Sequence, residues 1–257
     1  MSVQKLVECI RQKNNPTVAG LDARLEYIPG FIVTQCIERY GETLEAAAAA
    51  MQQFNVSLID ALHDIVPAIK PQAAYYELLG PAGAKVLKHT IDYAHEKGMY
   101  VIADIKRNDI GATASAYAEA YLGCTKVGGK ELPVYDADSC TVNAYLGTDG
   151  IEPFLKECRA REKSIYILVK TSTPSSGEFQ NRDMEGKPLY VRVAEQFEKW
   201  GEGLDTASGY NQVGAVVGAT YPEEQKVIRS IIPKAYFLVP GYGAQGATAK
   251  DIANAFN

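Results

Sequence analysis

The stretch that decides the fold is Met99-Tyr100-Val101-Ile102-Ala103-Asp104-Ile105-Lys106-Arg107-Asn108-Asp109, which passes into Ile110-Gly111-Ala112-Thr113-Ala114-Ser115-Ala116-Tyr117. An unbroken apolar run, a knot of charges and a helix-like segment read as a buried strand, a turn and a helix start. Side chains alternate along a strand, which predicts that Asp104 and Lys106 point into the same space, with Asp109 joining them from the turn. Two carboxylates around one ammonium at the carboxyl end of a buried strand sit where α/β sheets place their chemistry. On these residues alone, a surface salt-bridge cluster is the open alternative.

Outward from this stretch, strand-like runs alternate with helical ones. The candidate strands are Thr17–Asp22, Ala68–Gln72, Tyr100–Lys106, Ser139–Ala144, Ile165–Thr171, Val213–Thr220 and Tyr236–Val239. Between them lie the amphipathic stretches Leu44–Val66, Ala82–Lys97, Ala112–Leu122 and Leu189–Trp200. Ala46–Ala50 belongs to the first of these and reads as helix, alanine being the best helix former. Alternating β and α with short turns predicts a parallel sheet, and 257 residues favour one (β/α)8 barrel domain over 1–257 to a doubly wound sheet. Only seven strands are found, and 251–257 reads as the helix after the seventh. The expectation is therefore a TIM barrel whose C-terminal eighth unit is missing, through truncation at the C-terminus rather than an open barrel.

The composition, 47% hydrophobic and 22% charged, suits a globular protein with a sizeable core. A net charge of −5 gives no reason to expect nucleic acid or an anionic membrane as partner, so an anionic metabolite would need a local cluster of donors. Cys9, Cys36, Cys124, Cys140 and Cys158 are odd in number, scattered and without a Cys-x-x-Cys, which points to reduced thiols in a cytoplasmic setting. The start has no signal-peptide core, and no apolar run approaches the roughly 18 residues of a membrane span. His89 and His95 are six apart, a spacing that does not stack two rings on one helix face, so no metal is expected. The polar segment Thr173–Pro188 follows a strand end and reads as a lid rather than a plain connector.

The strand ends, in order, are Gly20-Leu21-Asp22, Ile69-Lys70-Pro71-Gln72, Asp104-Ile105-Lys106-Arg107-Asn108-Asp109-Ile110-Gly111, Val169-Lys170-Thr171-Ser172-Thr173-Pro174 and Pro240-Gly241-Tyr242-Gly243-Ala244-Gln245-Gly246. From Asp22 to Gln245 this series resembles the orotidine 5′-phosphate decarboxylases, in their longer-loop branch. The resemblance implies decarboxylation of orotidine 5′-monophosphate to UMP, in pyrimidine biosynthesis, without a cofactor. Lys70, Asp104, Lys106 and Asp109 would form the family's alternating charged network, with Lys106 the proton donor and Asp109 reaching across a homodimer interface. Asp22 and Thr113 would contact the ribose, Thr113 from the partner subunit. Ser172 would hydrogen-bond the pyrimidine, and Gln245 with the glycine-rich backbone around it would hold the 5′-phosphate. The family's phosphate-binding arginine follows the eighth strand and has no counterpart before residue 257.

Plain structural readings compete at several positions. Asp22 could cap a turn, Lys70 could simply pair with Asp104, and Ser172 and Thr113 could be turn and helix-start residues. Two other classes of function also fit the residues. One is a phosphate-binding aldolase that forms an imine on Lys106 or Lys170; the other is a non-catalytic nucleotide-binding barrel. The carboxylates flanking Lys106 favour a charged lysine and speak against the imine.

Overall fold

Each apolar run becomes a strand in the computed structural model, which describes residues 2–241, 246, 248 and 250–256. The strands are β1 (Val18–Leu21), β2 (Ala68–Pro71), β3 (Tyr100–Arg107), β4 (Ser139–Val142), β5 (Ser164–Lys170), β6 (Asn211–Val217) and β7 (Ala235–Leu238). Hydrogen-bonded neighbours follow chain order from β1 to β7. The pairs β1–β2, β2–β3, β5–β6 and β6–β7 are parallel. A doubly wound sheet reverses its strand order at a switch point; this order never reverses, which is the sequence of a (β/α) barrel.

The chain divides into two compact units. One comprises Lys5–Ile105 and Glu119–Cys140; the other is built from Lys106–Ala118 and from Thr141 onward, with the residues up to Gln4. The boundary falls inside β3, between Ile105 and Lys106.

In the first unit, Tyr100 through Ile105 are all buried, as parallel strands covered on both faces must be. The helix Leu44–Leu62 starts where the Thr43 hydroxyl accepts from the Ala46 N–H at 3.2 Å, an N-cap that satisfies one orphan donor. Its alanines allow close packing on the helix Gly80–Glu96. A Cβ on Gly83 of that second helix would lie 1.9 Å from the Tyr76 carbonyl, so only glycine fits there. Between these elements Asn55, fully buried, donates to the Tyr76 hydroxyl at 2.9 Å and to Thr90 Oγ1 at 3.1 Å. Just before β4, the Asp138 carboxylate accepts from Lys5 Nζ, from the Val101 N–H and from His95 Nε2, each at 2.9 Å.

In the second unit, β6 is buried along its whole length between β5 and β7. The helix Thr148–Arg161 is fastened by Trp200 Nε1, which donates to Thr148 Oγ1 at 3.1 Å.

Several expectations are corrected. The segment Leu189–Trp200 is two short helices, Leu189–Glu195 and Phe197–Trp200. Two antiparallel hairpins were not anticipated, Cys124–Val127 with Lys130–Pro133 and Asp183–Met184 with Lys187–Pro188. The second lies within Thr173–Pro188, which also holds the 3-10 helix Pro174–Glu178, so that segment is ordered by its own turns. The described part of 251–257 is a turn and a 3-10 helix, Ala253–Ala255, not an α-helix. It is held by Arg229, whose Nε donates to the Ala255 carbonyl at 3.0 Å. None of the five cysteines forms a disulfide, and Cys36, Cys140 and Cys158 are buried. Among the described residues no helix is long and apolar enough to cross a membrane.

Candidate active site

In the first unit the ends of β1, β2 and β3 bring Asp22, Lys70 and Asp104 together. Lys70 Nζ donates to Asp104 Oδ2 at 2.8 Å and lies 3.7 Å from Asp22 Oδ1. The Asp104 side chain is 7% exposed, Lys70 18% and Asp22 50%. A carboxylate this deeply buried needs more than one donor, and Gln72 supplies the second: its Nε2 donates to Asp104 Oδ2 at 3.1 Å. Gln72 is held by its own Oε1, which accepts from the Ala74 N–H at 3.3 Å. The sequence contains Gln72 at a strand end but gives no reason to single it out, because its role appears only once β2 and β3 are in register. Asp22 therefore pairs with a lysine rather than merely capping a turn.

In the second unit, Lys106, Asp109 and Thr113 follow one another on the end of β3, the turn and the helix Gly111–Tyr121. Lys106 is exposed and has a positive φ of 47°. The Lys106 N–H donates to Thr141 Oγ1 at 2.9 Å, and the Arg107 carbonyl accepts from the Asn143 N–H at 3.1 Å. Asp109 Oδ1 accepts from the Ile110 N–H at 2.8 Å, and Thr113 lies exposed in the first turn of the helix.

Ser172 follows β5 and is fixed from two sides. A Cβ on Gly218 would lie 2.6 Å from the Ser172 nitrogen, so glycine alone permits that close approach. The Thr220 hydroxyl donates to the Ser172 carbonyl at 3.0 Å. Two residues before Ser172, Lys170 is fully buried. Its Nζ donates to Ser176 Oγ at 3.1 Å and Asn181 Oδ1 at 2.7 Å, and stands 4.4 Å from the centre of the Tyr221 ring. Burial pushes its pKa down, partly opposed by Glu224. Through these two hydrogen bonds the amine pins the loop to the end of β5. The loop is fastened a second time where Gln180 and Thr171 exchange hydrogen bonds, Thr171 N–H to Gln180 Oε1 and Gln180 Nε2 to Thr171 Oγ1, both 2.9 Å.

After β7, Gly241 and Gly246 have positive φ values of 102° and 87°, a conformation glycine adopts without penalty. Gln245, Gly243 and Ala247 lie outside the described residues. Among those described, no group of three His, Cys, Asp or Glu side chains is arranged to hold a metal ion.

Comparison with known proteins identifies the family. Residues 44–256 match the model of the Orotidine 5′-phosphate decarboxylase / HUMPS family. The orotidine 5′-phosphate decarboxylase of Rhodopirellula baltica is 43% identical over 253 residues, covering 98% of this chain and 82% of the relative. That of Caldicellulosiruptor saccharolyticus is 40% identical over 248 residues, covering 96% and 81%. Among solved structures, Leishmania donovani OMP decarboxylase superposes with a TM-score of 0.72 at 30% identity, covering 94% of this chain and 80% of its own. The UMP synthase of the same organism gives 0.75 at 32%, with 99% of this chain spanning 48% of that one. A family match across five-sixths of the chain, relatives alike over nearly all of it and a strand order without reversal agree: the chain belongs to the orotidine 5′-phosphate decarboxylase / HUMPS family and has its α/β-barrel fold.

Proposed function

We infer that this chain decarboxylates orotidine 5′-monophosphate to UMP, the last step in making that pyrimidine nucleotide, with Lys106 as the proton donor. Family membership and relatives of this name at 40% and 43% identity support the activity. The assignment of roles rests on the residues. The single observation that carries it is the buried Lys70–Asp104 pair, with Asp22 beside it, on strand ends.

The chemistry explains why such charges are needed. When the C6–carboxylate bond breaks, CO2 leaves and the electron pair stays in an in-plane orbital at C6 that the ring does not readily delocalise. A fixed ammonium stabilises that pair directly. At about 4 Å and an effective dielectric near 20, one unit-charge pair is worth about 4 kcal/mol, roughly three decades of rate. Lys106 then gives a proton to C6 and regains one from water. Asp104, held in place by Lys70 and Gln72, faces the substrate carboxylate in this scheme and raises the energy of the bound ground state. Asp109 completes the alternating charges around Lys106 in this scheme.

Asp22 and Thr113 take the ribose, Ser172 the pyrimidine edge, and Gln245 with the glycine turn the 5′-phosphate. Binding energy from the remote phosphate is spent on closing the 173–188 loop over the ring and positioning it. No cofactor is invoked. Residues 1–257 act as one catalytic domain in this reading, because the family match spans both units. The active form is a homodimer in which Asp109 and Thr113 serve the neighbouring site, and its setting is the cytoplasm, which five cysteines without a disulfide favour. The test is spectroscopic: purified chain mixed with orotidine 5′-monophosphate should show the ultraviolet change to UMP. Saturable binding without that change would make the chain a nucleotide-binding protein instead.

A further inference from the structure

Five non-glycine residues among those described have positive φ: Asn14, Lys106, Asp136, Glu162 and Glu185. Four of them lie at helix ends, in turns or in loops, where the left-handed region is commonly used. Lys106 alone lies within a strand. A bulky side chain pays for that conformation, and it persists only where the surroundings over-determine it. Here the surroundings are β4 and the residue just after it. The Lys106 N–H donates to the Thr141 hydroxyl at 2.9 Å, and the carbonyl of the next residue, Arg107, accepts from the Asn143 N–H at 3.1 Å. Thr141 is fully buried, so its hydroxyl is shielded from solvent competition.

We propose that Thr141 is a positioning residue for the decarboxylation: its hydroxyl holds the Lys106 backbone in the left-handed conformation and so sets where the ammonium stands. This rests on Lys106 being the proton donor. Replacing the hydroxyl by a methyl removes the acceptor, and the strand end can then relax toward extended geometry with the amine displaced. A displacement near 1 Å can cost about a hundredfold in rate, and the loss belongs in kcat because the ribose, phosphate and pyrimidine contacts proposed above do not include Thr141.

The experiment is steady-state kinetics on Thr141→Val, Thr141→Ser and Lys106→Ala, with far-ultraviolet circular dichroism on each. The inference expects Thr141→Val to lose about tenfold to a hundredfold in kcat with KM little changed, and Thr141→Ser to recover most of that loss. Wild-type kcat in Thr141→Val overturns it. So does equal impairment in Thr141→Ser, or a loss carried by KM. Thr141→Ala makes the same comparison if the valine variant does not fold, and failure of both to fold makes Thr141 structural and overturns the inference. Lys106→Ala separates the two claims. Near wild-type turnover there sinks the role of Lys106 itself, whereas abolished turnover beside an unimpaired Thr141→Val sinks only that of Thr141.

Discussion

Lys70 and Asp104 show how stability and function share side chains at this site. Asp104 is all but buried and has Lys70 and Gln72 as donors. Removing Lys70 leaves that carboxylate without its cation, and breaking a buried pair in this way costs about 3–5 kcal/mol. Lys70→Ala should therefore lower the urea midpoint as well as turnover; a variant with unchanged unfolding would mean that the pair is not buried as described. Asp104, Lys106 and Asp109 stand out in the sequence as charges at the end of an apolar run, whereas Lys70 is singled out only by the family resemblance. Gln72 and Thr141 were not legible, since an amide and a hydroxyl at strand ends are ordinary until the neighbouring strand is placed. The left-handed backbone at Lys106 was also hidden, because the residue type gives no sign of it.

At the scale of elements, the joins between strands and helices carry the next two predictions. The approach of the Ser172 backbone to Gly218 leaves no space for a Cβ. Gly218→Ala should displace Ser172, raise KM for the nucleotide and cost about 1–3 kcal/mol through overpacking; unchanged KM would count against Ser172 as a pyrimidine contact. At the opposite end of the strands, burial pushes the Asp138 carboxyl up, but His95 and Lys5 outweigh burial and hold it below the ordinary carboxylate range. Since its folded pKa is depressed, its stabilisation is present above the unfolded value, about 4, and is lost as pH falls through the folded one. Asp138→Asn should cost about 1–3 kcal/mol at neutral pH and flatten the acid limb of the stability curve. An acid limb as steep as the wild type's would show that other carboxylates set it. The main strands were legible as elements because their apolar runs are bounded by charges and glycines. The two hairpins were not, being short, polar and exposed, although Gly128-Gly129 marks one turn and Glu185-Gly186 the other.

For the molecule as a whole, the alternation of strand and helix was enough to place the chain in the α/β class, and the unreversed strand order selects the barrel. Residues 251–257 read as the helix expected after the seventh strand, whereas their described part is a turn and a 3-10 helix held by Arg229. Chelation with EDTA should leave turnover unchanged in the proposed mechanism, which uses only side-chain charge; loss of activity restored by a divalent cation would require a different one. The central claim is that the Lys106 ammonium stabilises and protonates C6 of the nucleotide ring. The most direct measurement follows ultraviolet conversion of orotidine 5′-monophosphate by the wild-type chain and by Lys106→Ala, with UMP binding measured on both. The account predicts conversion by the wild type only, with UMP bound by each. Turnover of Lys106→Ala near the wild-type rate would contradict it.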